Sequence, residues 1–220
     1  MSPIATILST KIVSEAQKEL LLNAGLGYVE YNAIEVELLD FRYNNKVKNV
    51  IFTSKNAVNA IQGLGINIEN CFCVGEKTKR ILEGNGYNVV ETSQNATELA
   101  NSIVKKHKND QFLFLCGNRR RDELPMILKK HGIQLQEHIV YNTHFNKKRF
   151  QRPFDGILFF SPSAIQSYMT SNALDNSIAF CIGNTTASEA KKYTSNIIVA
   201  NKPTIENVIV QAVKYFDKKI

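Results

Sequence analysis

GILFFSPSAIQSYM, residues 156–169, occurs twice in this chain, the earlier copy being NVIFTSKNAVNAIQ at 49–62. Each copy has a short apolar run, then small hydroxylated residues, then apolar positions at helical spacing. Ile157–Phe160 and Val50–Phe52 read as buried strands. Ser54 and Ser161 stand where a helix N-cap belongs, and Pro162 suits a first helical turn, where a missing N–H costs nothing. A strand-to-helix turn of this kind presents unpaired backbone N–H groups and the positive helix end, which suit an anion. Capping alone also justifies a serine at either position.

The repeat extends beyond this motif. Ser54 and Ser161 lie 107 positions apart, and the same offset relates Gly25 to Gly132, Ser9 to Cys116 and Thr97 to Thr204; Gly75 and Gly183 are 108 apart. A period near half of the 220 residues predicts two similar domains rather than a solenoid of short repeats. Each half is long enough to bury a core of its own.

Composition excludes several classes. Hydrophobic content of 44% and charged content of 21% are those of an ordinary soluble globular protein. No apolar run has the length of a membrane span, and MSPIATILST lacks the basic start of a secretory signal. Cys71, Cys73, Cys116 and Cys181 form no CxxC pair and no Cys/His ligand spacing, so reduced, buried cysteines in a cytoplasmic protein are expected. His107, His131, His138 and His144 likewise follow no metal spacing. The net charge of +7 favours anionic partners without choosing among them. Most of it reads as a solvated face, with Arg119-Arg120-Arg121 the densest run.

Strands alternate with helices along the whole chain, which predicts βαβ units and parallel sheets. Long extended segments are expected at 28–38 and 133–145, and a weak helical patch at 40–46. Ligands of parallel sheets bind beyond the carboxyl ends of the strands, so the residues just after each strand are the candidates. These are Ser9-Thr10, Thr53-Ser54, Gly75, Gly117-Asn118, Ser161 and Gly183. No GxGxxG, GxxxxGK[ST], GxSxG or HExxH occurs, which argues against nucleotide-binding, P-loop, hydrolase and zinc-protease readings.

LFLCGNRRRDELPMILKKHGIQLQEHIVYNT (113–143), with VIFTSKNAV, VGEKTKRIL, FFSPSAI and CIGNTTASEA in order, resembles the uroporphyrinogen-III synthase family. The resemblance implies an α/β fold of two similar parallel-sheet domains joined by a two-stranded linker, with the ligand cleft between them. The domains would be 1–36 plus 143–220 and 37–142. It implies closure of hydroxymethylbilane to uroporphyrinogen III with inversion of ring D and loss of water, without cofactor or metal. A carboxylate-rich substrate would explain the basic balance. The family's tyrosine falls on Tyr141, expected to hydrogen-bond the departing hydroxyl; otherwise it is a packed linker residue. Thr78, Thr186, Ser54, Ser161 and Ser163 match the family's pocket hydroxyls. Thr53, Gly75, Gly117, Asn118, Arg119, Gly183 and Thr185 complete the expected substrate contacts. Lys55 replaces the proline common after Ser54, which leaves that turn open. A monomer in the cytoplasm is expected, with no nucleic-acid or membrane partner. Two other readings stay open: a two-domain anion- or tetrapyrrole-binding protein that does no chemistry, and a nucleic-acid-binding protein favoured only by charge.

Overall fold

The computed structural model describes residues 4–43 and 46–217. The chain starts β1 (Thr6–Ser9), α1 (Glu15–Leu22), β2 (Gly27–Glu30) and β3 (Ile34–Leu38). There follow β4 (Val47–Phe52), α2 (Lys55–Ile61), β5 (Ile68–Val74), α3 (Glu76–Gly84), β6 (Val89–Ser93) and α4 (Ala96–Lys106). Next are β7 (Gln111–Gly117), α5 (Glu123–Lys130) and the long β8 (Gln134–Phe145). The chain closes with β9 (Gly156–Phe159), α6 (Pro162–Met169), β10 (Ile178–Cys181), α7 (Asn184–Ala190), β11 (Ile197–Val199) and α8 (Ile205–Asp217).

These elements form two compact units. The first comprises the chain up to Glu35 together with the chain from His144 on, and the second is Val36–Thr143. The first holds a five-stranded sheet in the order β2-β1-β9-β10-β11, and every neighbouring pair is parallel. The second holds a six-stranded sheet in the order β3-β8-β7-β4-β5-β6, parallel from β8 to β6. Without β3 the two orders correspond strand for strand. β4-α2-β5-α3-β6-α4 and β9-α6-β10-α7-β11-α8 are therefore equivalent, as the 107-residue offset predicts. β1-α1-β2 corresponds to β7-α5-β8 in the same way, but it precedes its partner segment in the chain where β7-α5-β8 follows. The second unit is thus a circular permutation of the first. β3 lies antiparallel to β8: Leu39 N–H donates to the Val140 carbonyl at 3.0 Å, and Asn146 N–H to the Ala33 carbonyl at 2.9 Å, numbers rising on one strand as they fall on the other.

The inner strands are largely apolar because helices cover both faces of each sheet. In the second unit Val50, Phe52, Cys71, Cys73, Leu113 and Leu115 enter one core cluster. The alternate residues Ile51, Phe72, Phe112, Phe114 and Cys116 enter the other. The first unit splits likewise, with Ile157, Phe159, Ala179 and Cys181 on one face and Ile7, Leu158 and Phe180 on the opposite one. Each fully buried Phe or Leu contributes about 1.5–3 kcal/mol by leaving water.

One expectation is corrected. Among the described residues of 40–46, namely 40–43 and 46, there is no helix. Phe41 and Tyr43 instead stack at 6.0 Å, and both rings meet His138 on β8, at 5.6 and 6.2 Å. Packing two side chains that are two apart against one strand favours an extended backbone over a helix. Residues 44 and 45 lie outside the described set.

Candidate functional site

Parallel strands end together, so the turns after β4, β5 and β7 share one edge of the second sheet with the carboxyl-terminal part of β8. Four of the expected residues meet there. The register of β7 and β8 slips between Cys116 and Gly117, which sets Gly117 opposite Tyr141. The Tyr141 ring lies on the bare Gly117 backbone. A Cβ at Gly117 would fall 2.4 Å from ring atoms Cε2 and Cζ and 2.7 Å from the hydroxyl, distances that side chains do not tolerate. Ser54 closes the other side. As N-cap of α2 its oxygen accepts the Asn56 N–H at 3.2 Å, and its hydroxyl lies near enough to the Tyr141 phenol to act on its proton. Burial raises the Tyr141 pKa above the ordinary tyrosine value, with Ser54 pulling the other way. The phenol therefore keeps its proton at neutral pH and can donate it. On the opposite face of the sheet, burial pushes the Cys116 thiol up to about 11, so it stays protonated at neutral pH.

Asn118 is exposed, yet both its backbone and its side chain are engaged by β8. Its backbone N–H donates to the Tyr141 carbonyl at 3.2 Å, and its side-chain oxygen accepts the Thr143 N–H at 2.9 Å. Arg119 Nε donates to the Thr143 carbonyl at 3.2 Å. Arg120 pairs with Asp122 and Glu137, and Arg121 Nη1 lies 3.6 Å from Glu123. The dense arginine run is thus met largely by local carboxylates. Gly75 caps α3 with φ +84°, a left-handed conformation that favours glycine. Thr53 is half-buried after β4, and Thr78 is buried in the first turn of α3.

In the first unit Ser161 caps α6, accepting the Ala164 N–H at 3.1 Å, and Ser163 is half-buried in the first turn of that helix. Gly183 caps α7 with extended backbone, followed by exposed Thr185 and buried Thr186. Thr78 and Thr186 are equivalent in the repeat. Neither hydroxyl has a hydrogen-bond partner among the described residues, and the one sealed orphan polar atom there is the Tyr31 hydroxyl. Both threonines therefore have hydrogen-bonding capacity to spare. Ser9 and Thr10 are different: their hydroxyls bond the carbonyls of Lys11 and Leu158, so the fold consumes them. Thr143, which the sequence reading missed, belongs beside Tyr141; its signal was the period of two in a strand, Tyr-x-Thr.

Among the described residues no group of three or more His, Cys, Asp or Glu gathers as a metal-ligand set, and no helix is long and apolar enough to cross a membrane.

Two parallel α/β units with helix N-termini and spare hydroxyls at their strand ends define a class of fold that solved structures share. Uroporphyrinogen-III synthetase from Helicobacter pylori matches with a TM-score of 0.70 at 19% identity, over 96% of this chain and 100% of that one. A mutant uroporphyrinogen III synthase from the extremely thermophilic bacterium Thermus thermophilus matches with a TM-score of 0.72 at 13% identity, over 98% and 100%. At such identities the likeness is one of fold. Sequence goes further: the family model described as uroporphyrinogen-III synthase HemD matches residues 15–209. The chain belongs to the uroporphyrinogen-III synthase family. A curated relative, porphyrin biosynthesis protein HemD of Ruminiclostridium josui, is 25% identical over 87% of this chain, which spans 44% of that relative's length.

Proposed function

We propose that this chain closes hydroxymethylbilane into uroporphyrinogen III, with inversion of ring D and loss of water. The observation that carries the reading is the Tyr141 phenol, seated on Gly117 and beside Ser54 at the strand ends of a family member. The terminal carbon–oxygen bond of the bilane breaks with electron push from its own pyrrole, leaving a cationic azafulvene. Tyr141 hydrogen-bonds the departing hydroxyl and passes it the proton with which it leaves as water, and the proton released on reclosure restores the phenol. Ring D then attacks through its substituted carbon, fragments and recloses, releasing a proton. The substrate supplies the reactivity. The protein holds the geometry that leads to isomer III instead of the spontaneous closure to isomer I.

The backbone N–H groups at Thr53, Ser54 and Arg119, with the Thr78 hydroxyl, would take carboxylates on the second unit, where Gly75, its own N–H held by the Ser93 carbonyl at 2.9 Å, leaves the approach to α3 clear of a side chain. Ser161, Ser163, Gly183, Thr185 and Thr186 would do so on the first. Residues 1–36 with 143–220 and residues 37–142 would act as two domains that both contact one substrate, in a cytoplasmic monomer. Incubation with hydroxymethylbilane, oxidation and chromatographic separation of the uroporphyrin isomers tests the reaction. Isomer III should dominate and form faster than isomer I does without protein. Isomer I alone, at the spontaneous rate, would overturn the proposal and leave an anion-binding protein.

A further inference from the structure

β7 stops at Gly117, whereas β8 runs on to Phe145. Past that point the β8 backbone has no strand to pair with on its β7 side. The N–H and C=O of one strand residue point to the same side, so both peptide groups of Thr143 would be left open there. Thr143 is only 7% exposed, which leaves water little access, and an unpaired buried peptide group is costly. Side chains replace the missing strand: Asn118 Oδ1 accepts from Thr143 N–H at 2.9 Å, and Arg119 Nε donates to Thr143 O at 3.2 Å. The Asn118 N–H also holds the Tyr141 carbonyl at 3.2 Å. One residue therefore grips β8 on both sides of Asn142. The Tyr141 ring must meanwhile lie flat on Gly117, where there is no room for a Cβ.

We propose that Asn118 is a positioning residue for Tyr141 rather than a ligand of the substrate: it extends the β7–β8 ladder by one rung and so fixes the phenol against Ser54. This rests on the reaction proposed above, in which the phenol must meet a departing hydroxyl. Displacing a reacting group by about 1 Å costs on the order of 10²-fold, and a loosened strand end should cost part of that.

The test is steady-state kinetics of isomer III formation by Asn118→Ala and Asn118→Asp, beside ring NMR of tyrosine-labelled full-length protein. In Asn118→Ala, kcat should fall roughly 10-fold with KM within about twofold, and the Tyr141 ring resonances should move. Asn118→Asp keeps an acceptor for the Thr143 N–H, so it should recover most of kcat and the wild-type ring positions. In a Tyr141→Phe background Asn118→Ala should cost nothing more, because the group it positions is gone. A substrate ligand would behave oppositely: KM would rise with kcat held, and Asp would be worse than Ala beside a carboxylate-rich substrate. That pattern, or Tyr141 resonances unmoved in Asn118→Ala, would overturn the proposal. If Asn118→Ala does not fold, Asn118→Ser makes the same comparison. The NMR needs no turnover, so failure of this inference is distinguishable from failure of the reaction.

Discussion

The two units share a sheet order and a helix plan, yet their strand ends differ at the position that matters. In the second, Gly117 follows β7 and the Tyr141 ring rests on it. The 107-residue offset maps these onto Thr10 and Ile34 in the first. Thr10 is 2% exposed, and its hydroxyl donates to the Leu158 carbonyl at 2.7 Å, which fills the place that Gly117 leaves bare. Duplication thus supplied two sets of helix N-termini for anions but a single seated phenol. On the proposed function, the fold can carry binding twice, while the chemistry would depend on one glycine and one tyrosine.

The sharpest way to break this comparison is to fill the gap. Gly117→Ala places a Cβ 2.4 Å from the Tyr141 ring, so the ring must leave and isomer III formation should fall on the order of 10²-fold or more. Thr10→Ala, at the equivalent place, should cost roughly 1 kcal/mol of stability for its hydrogen bond and leave the rate nearly unchanged. Equal kinetic losses in the two variants, measured with the coupled isomer assay, would erase the distinction. The glycine caps differ less. Gly75→Ala forces a left-handed alanine at φ +84° and should cost about 1–2 kcal/mol in denaturant titration. Gly183→Ala, with extended backbone and nothing within 4 Å of the added carbon, should be close to neutral. Smaller again are Thr78→Ala and Thr186→Ala. Each should raise KM a few-fold with kcat nearly held, because neighbouring backbone N–H groups still bind carboxylates.

The smallest effect is alkaline. Burial raises the thiols of Cys71, Cys73 and Cys116 in the second unit, to about 12 for Cys71 and about 11 for Cys116. The first unit holds Cys181 alone, at about 12. A raised folded pKa means stability that is complete below the unfolded value, about 8.5, and lost as pH climbs toward the folded one. Between about pH 8 and 10, hydrogen exchange should therefore accelerate more in β4, β5 and β7 than in β9 and β10. Equal acceleration would contradict the assignment.

Much of this was legible in the sequence, and physical reasons mark where legibility stopped. Continuous apolar runs such as FLFLC mark strands covered on both faces, and Ser54 and Ser161 announced their helices through local capping chemistry. Ser9 and Thr10 looked like the other strand-end hydroxyls, because nothing in the sequence tells a hydroxyl turned to a ligand from one turned to a neighbouring carbonyl. Phe41 and Tyr43 resembled a helical patch because their aromatic partner, His138, is far away in the chain. The seating of Tyr141 on Gly117 depends on a register slip between distant strands, which no local pattern records. Asn118 was expected to face a ligand for the same reason: its partner, Thr143, is brought to it by that pairing.

The most direct test of the central claim is Tyr141→Phe, which removes one hydroxyl and leaves the ring on Gly117. With hydroxymethylbilane at saturation, isomer III formation should drop roughly 10²-fold, while the melting transition and product affinity stay near wild type. Conversion to isomer III at close to the wild-type rate would contradict the account, leaving Tyr141 as a packing residue and catalysis as positioning by the backbone alone.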